Sequence, residues 1–119
     1  MKTAEGGAIE VEVTFETMPS VLFDAMAIPS SANAAAALGK IGHVLEFIKD
    51  QYRHAKPILA LGDGADLIAK AGVPATLPSG AADPGLLVGA RPVGKALPDF
   101  VRAIARHRHH EREIDPPAV

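Results

Sequence analysis

A layered α/β domain built on a parallel sheet is what this sequence predicts, and three observations carry the prediction. The apolar run Ile58 to Leu61 breaks at once into Gly62-Asp63-Gly64 and resumes at helical spacing through Leu67 and Ile68, which is the pattern of a strand, a sharp turn and a helix. Ahead of it, Ile41, Val44, Leu45, Ile48 and Tyr52 recur at i, i+3, i+4, i+7 and i+11, an amphipathic helix that runs to about His54. Earlier still, Val21 to Ile28 is nearly continuous in its apolar character, as a strand covered on both faces is. Strand, helix and strand in that order read as a right-handed parallel crossover.

Taken from the start, Ile9, Val11, Val13 and Phe15 alternate with Glu10, Glu12, Thr14 and Glu16, the period of a strand at a sheet margin or in a hairpin arm. Pro29 ends the next strand. Ser30 and Ser31 are N-cap residues before Ala32 to Leu38, and a second helix start follows Gly39. After the central turn, the helix is short, because Gly72 supplies a stop and Pro74 forbids resumption. Ala75 to Gly85 reads as a loop punctuated by Pro78, Gly80 and Asp83-Pro84-Gly85, and Leu86-Leu87-Val88 as a brief last strand. A final helix places Leu97, Phe100, Val101, Ile104 and Ala105 on one face and Arg102, Arg106 and His109 on the other, until Asp115-Pro116-Pro117 ends it. One body over 9–112 is expected, between a flexible start at 1–8 and a tail at 113–119.

Composition narrows the function. A chain of 119 residues is one domain by size, and although 48% of it is hydrophobic, four Phe, one Tyr and no Trp leave the core thin in bulky groups. The net charge of -2, with both signs interspersed, gives no general attraction to nucleic acid or to an anionic membrane. No cysteine is present, so there is no thiolate nucleophile or disulfide, and Met1 to Glu5 lacks the apolar region of a signal peptide. A cytoplasmic protein is expected.

Several of these residues together point to a family. Pro19-Ser20-Val21-Leu22-Phe23-Asp24-Ala25, Glu46-Phe47 and Tyr52-Arg53-His54 before Lys56-Pro57-Ile58, Ala71-Gly72-Val73 and the ending Ala105-Arg106-His107-Arg108-His109 resemble the C-terminal domain of large-subunit catalases. The resemblance implies a flavodoxin-like, three-layer sandwich related to PfpI-type proteases and class I glutamine amidotransferases, attached to the haem domain of a tetrameric enzyme that removes hydrogen peroxide. It implies an accessory role in packing, oligomer stabilisation or chaperone-like contact, with a catalase core or another copy as partner. No cofactor is expected in this chain, since the haem-ligating Tyr of catalases lies in the other domain and Tyr52 falls on a buried helical stripe.

Two departures stand out. Where PfpI-type enzymes carry Cys, then His, Gly or Ala, then Gly, this chain has Gly62, Asp63 and Gly64. The family's domain also opens with a strand, helix and strand that have no counterpart here. Without the first of these strands, Val21 to Ile28 and Ile58 to Leu61 are expected to lack a neighbour along one edge, which another copy or a separate chain would cover.

Among candidate sites, the Gly62-Asp63-Gly64 turn lies where a strand end meets the free amides of a helix, the usual seat of a nucleophile. Its apex, Gly62, has no side chain. A small-ligand or degenerate enzyme role through Asp63 stands against a plain reading in which the glycines permit the turn and Asp63 caps the helix. Ser30 and Ser31 are either ligand contacts or caps, and no Gly-x-Ser-x-Gly frame surrounds them. His107 and His110, one helical turn apart, are weak metal candidates, but His110-Glu111-Arg112-Glu113-Ile114 lacks the second His of a zinc helix, and the nearby arginines disfavour a cation. A solvated basic helix end is the expectation there. His43 and His54 are expected to be structural.

Overall fold

A computed structural model describes residues 7, 10, 14, 15, 17–89 and 93–114. Most of the leading segment 1–8, the strand expected through Ile9, Val11 and Val13, and the stop at Asp115-Pro116-Pro117 lie outside the described residues. The elements run β1 (Met26–Ile28), α1 (Ala32–Leu38), α2 (Gly42–Arg53), β2 (Ile58–Leu61), α3 (Gly64–Lys70), β3 (Leu86–Gly89), α4 (Val93–Ala105) and α5 (Glu111–Ile114). The strands form a parallel sheet in the order β1-β2-β3, with Met26 beside Ile58 and Ile58 beside Leu86.

Alternation along each strand sorts the core into two layers. Ile28, Ile58, Ala60 and Leu86 face α2 and α3, where Val44, Ile48, Tyr52, Leu67 and Ile68 close over them. Leu59, Leu61 and Leu87 face the other way, onto Ala96 and Phe100 of α4. The result is the expected sandwich, helices on both faces of a parallel sheet. Ile48 and Ile58 are fully buried, each contributing about 1.5–3 kcal/mol.

Several sequence expectations change. Ile58 to Leu61 is not an edge: β2 is central and paired on both sides, and among the described residues the outer edges belong to β1 and β3. The strand predicted from Val21 begins only at Met26. Ser20–Leu22 is instead a 3₁₀ turn with Val21 and Leu22 exposed. Its carbonyls are held from below, because Gln51 Nε2 donates to Ser20 at 3.0 Å and the buried Lys56 ammonium donates to Val21 at 2.6 Å and to Phe23. These contacts take up the backbone acceptors that a longer strand would have paired. Phe15, expected to close a strand, lies in a turn whose Thr14 carbonyl accepts from Thr17 and Met18, and its ring stands edge-on to Phe47 at 5.1 Å. Ile41 is the exposed N-cap of α2, not part of its buried stripe.

The final helix differs most. Its buried face is Ala96, Phe100 and Ala103, whereas Leu97, Val101 and Ile104 are exposed at 46%, 62% and 37%. It ends at Ala105, and the chain turns back through His107 at φ +66° into α5, which is a separate element.

Candidate functional site

The bend from β2 to α3 is built by two glycines with different tasks. Gly62 sits at φ +49°, in the left-handed region that side-chain-bearing residues avoid. A Cβ there would lie 2.9 Å from Ser30 Cβ and closer still to Ser30 Oγ. The space a nucleophile's side chain would take is thus filled by the serine after β1. Gly64 allows close approach instead, since a Cβ on it would lie 2.9 Å from Ile28 Cγ2 and 3.0 Å from the Ile28 carbonyl. The Gly62 and Asp63 carbonyls accept from Ala65 and Asp66 at 3.1 and 3.2 Å, which starts the helix.

The predicted site residues part company here. Asp63 holds the N-cap position of α3, yet its side chain caps nothing. Ser31 does cap α1, accepting from the Ala34 amide at 3.4 Å, while Ser30 is turned to Gly62. Beside the bend, a shallow cavity of about 170 Å³ is lined by Ala32, Ala35 and Ala36 of α1 and by Asp63, Asp66, Leu67 and Lys70. It brings Asp63 to a surface of small residues but leaves both serines out. His43 and His54 are exposed.

The histidine-rich end is solvated at His107 and His110, as expected, but His109 and Arg112 turn inward and make it a buried anchor as well. His107 is exposed at the turn, and His110 pairs with Glu113 at 3.0 Å, an arrangement of single contacts; among the described residues no group of three His, Asp or Glu converges as metal ligands do. Two residues further on, Arg112 reaches into the body. Its Nε donates to Asp83 Oδ2 at 2.6 Å, and its Nη1 donates to the Tyr52 and Lys56 carbonyls at 3.1 and 2.9 Å. Its guanidinium also lies 4.2 Å from the centre of the Tyr52 ring. Asp83 is fixed in turn by the Gly85 amide at 2.9 Å.

Both side chains are buried, at 4% and 0% exposed, so the pair acts as a cap for α2 supplied from the far end of the chain. Burial, with Asp83 nearby, pushes the Tyr52 phenol up to about 12, although Arg112 pulls the other way. Burial likewise holds His109 below the ordinary imidazole range. A hydrogen bond from Arg106 lowers the Glu111 carboxyl. With its ring under Arg112 and its hydroxyl buried without a partner, Tyr52 offers no face or axial oxygen to a haem, so these residues do not fit that group. Asp83 and Arg112 escaped sequence reasoning because 29 positions separate them. The one available signal was Asp83-Pro84-Gly85, a tight turn with a carboxylate at its head.

Fold and bend together define the class: an α/β sandwich with a strand–turn–helix elbow whose apex carries no side chain. The profile of the C-terminal domain found in long catalases matches residues 3–113. The chain is 34% identical to a catalase HPII of Mycobacterium avium over 92% of its length, which is 17% of that protein. It is 32% identical to a catalase HPII of Pseudomonas aeruginosa, covering 98% of this chain and 15% of the relative. To catalase-1 of Neurospora crassa it is 31% identical over 94% of its length and 18% of the relative. The chain belongs to the family of C-terminal domains of long catalases, and it spans less than a fifth of the length of these relatives.

Proposed function

We propose that the chain acts as a non-catalytic accessory domain of a large catalase, in the cytoplasmic setting of hydrogen peroxide removal, through packing against a catalase core or a second copy of itself. Haem belongs, on this reading, to the core. The observation that carries it is the elbow: Gly62 supplies the backbone bend but no reactive atom, and Ser30 fills the place where one would project. The packing role is supported by surface that the domain leaves open. Leu97, Val101 and Ile104 form an exposed apolar stripe on α4. On the same side of the sheet Ala27 of β1 is exposed, and among the described residues no strand pairs with that outer edge.

A second reading is favoured by the cavity beside Asp63, which would suit a small polar ligand in a degenerate amidotransferase-like or PfpI-like module. Two measurements separate them. The purified chain should turn over neither ester nor dicarbonyl substrates; turnover that disappears in Asp63→Asn would overturn the accessory reading. In sedimentation, the chain should associate with itself or with a catalase haem core, and Val101→Glu should weaken that association. A monomer indifferent to both partners and to the substitution would count against packing.

A further inference from the structure

Beyond Ala105 the chain folds back as a hook, and one buried ring holds it in place. The His109 backbone amide donates to the Ala55 carbonyl at 2.7 Å, and three residues later Arg112 enters the body. The His109 side chain is wholly buried. Its Nε2 lies 3.0 Å from the Ala103 carbonyl, which can only accept, so this nitrogen carries the hydrogen. Its Nδ1 is buried without a partner. The neutral ring leaves only an unpaired acceptor at Nδ1, whereas an imidazolium would bury a charge and place a second N–H where nothing accepts it.

The surroundings sharpen this preference. The charges of Arg106 in the hook and Arg112 of α5 act against a cationic ring, with Asp83 opposing them. The carboxylates nearby are engaged elsewhere: Asp83, from the loop before β3, by Arg112 and the Gly85 amide, and Glu111 by Arg106. Tyr52 of α2 contributes only a neutral phenol. There is no slack either, since a Cβ on Gly85 would lie 2.6 Å from the imidazole carbons.

We propose that His109 is an acid-sensitive latch: with its ring neutral, residues 106–114 stay docked on the end of α2, and protonation of the ring releases them. Release would free the Tyr52, Ala55 and Lys56 carbonyls and the Asp83 carboxylate. The released hook binds one proton more than the docked hook once the pH falls below the ordinary histidine value of about 6.5. The opening constant therefore rises by close to tenfold per pH unit below that value and is flat above it. This inference stands on the packing of the hook and is independent of the accessory-domain reading.

The test is amide hydrogen exchange at His109 and Arg112 in the full chain between about pH 7.5 and about pH 5, corrected for intrinsic exchange, with the remaining core amides as the reference for global unfolding. Wild type should show the tenfold slope at the hook while the core stays protected. His109→Gln keeps a donor for Ala103 and cannot titrate, so its hook should be insensitive to pH. Arg112→Met provides the signal of the open state. An equal slope in His109→Gln, or a hook in wild type that stays shut until the whole domain unfolds, would overturn the latch. Should the Gln variant not fold, NMR titration of the His109 ring decides: ordinary titration near about pH 6.5 with the hook amides still protected would be equally fatal.

Discussion

Replacing Arg112 with methionine keeps much of the aliphatic bulk of the side chain and removes the fork that ties the end of the chain to α2. Three donated hydrogen bonds disappear, to Asp83 Oδ2 and to the Tyr52 and Lys56 carbonyls. The Asp83 carboxylate stays buried with the Gly85 amide but without its cation. Breaking a buried ion pair from one side costs about 3–5 kcal/mol, because the remaining charge is stranded out of water. Against a total of about 5–15 kcal/mol for a domain, that is a large fraction. For a domain of this size each kcal/mol lowers Tm by about 4 °C, so a fall of about 12–20 °C is expected in thermal unfolding followed by circular dichroism. Asp83→Leu should be nearly as harmful on its own. The double variant should be milder than the sum of the two, since it leaves no orphan charge. If Arg112→Met lost less than about 1 kcal/mol, or if the two single effects simply added, the anchor would not be the pairing described.

Tyr52, the single tyrosine of a chain without tryptophan, reports its own titration. Its folded value of about 12 lies above the unfolded value of about 10, so the stability tied to the neutral phenol is whole below the latter and is lost as the pH rises through the former. The tyrosinate absorbance should appear only near about pH 12; ionisation near 10 in a still-folded chain would contradict the buried placement. Gly62→Ala should lose at least about 1 kcal/mol to backbone strain, with a further loss against Ser30 that Ser30→Gly in the same chain recovers. Equal urea midpoints with and without Ser30 would dismiss the contact. His107→Gly, at an exposed left-handed position, should gain about 0.5–1 kcal/mol and raise Tm; a loss would mean that the histidine side chain contributes something its exposure conceals.

Local signals in the sequence were enough wherever one segment's period decides its structure. The stripe Val44, Ile48 and Tyr52, the run Ile58 to Leu61 and the Gly62-Asp63-Gly64 bend all lie where expected, because each buries the face that its spacing defines. The failures share a cause: a partner far away in sequence. Val21 and Leu22 read as strand, but Gln51 and Lys56 draw the Ser20, Val21 and Phe23 carbonyls into a turn. Leu97, Val101 and Ile104 read as a core face, yet the side of α4 that meets the sheet is defined by Ala96, Phe100 and Ala103, where small residues let the helix approach. His109 and Arg112 read as a solvated end, since nothing local shows that Asp83 and the carbonyls of Tyr52 and Lys56 need a cation.

The same distinction bears on the bend. A sharp turn at a strand–helix junction invites an active-site reading, because nucleophiles are presented at such elbows. Here the geometry has a sufficient cause in packing. Gly62 accommodates Ser30 and Gly64 accommodates Ile28, so both neighbours of the bend come from β1 or from the residues just past it. Any side chain at either glycine would push α3 away from the first strand and open the layer formed by Ile28, Leu67 and Ile68. The bend is thus a joint between β1 and α3, and that joint would exert the same demand for glycine whether or not chemistry had ever taken place above it.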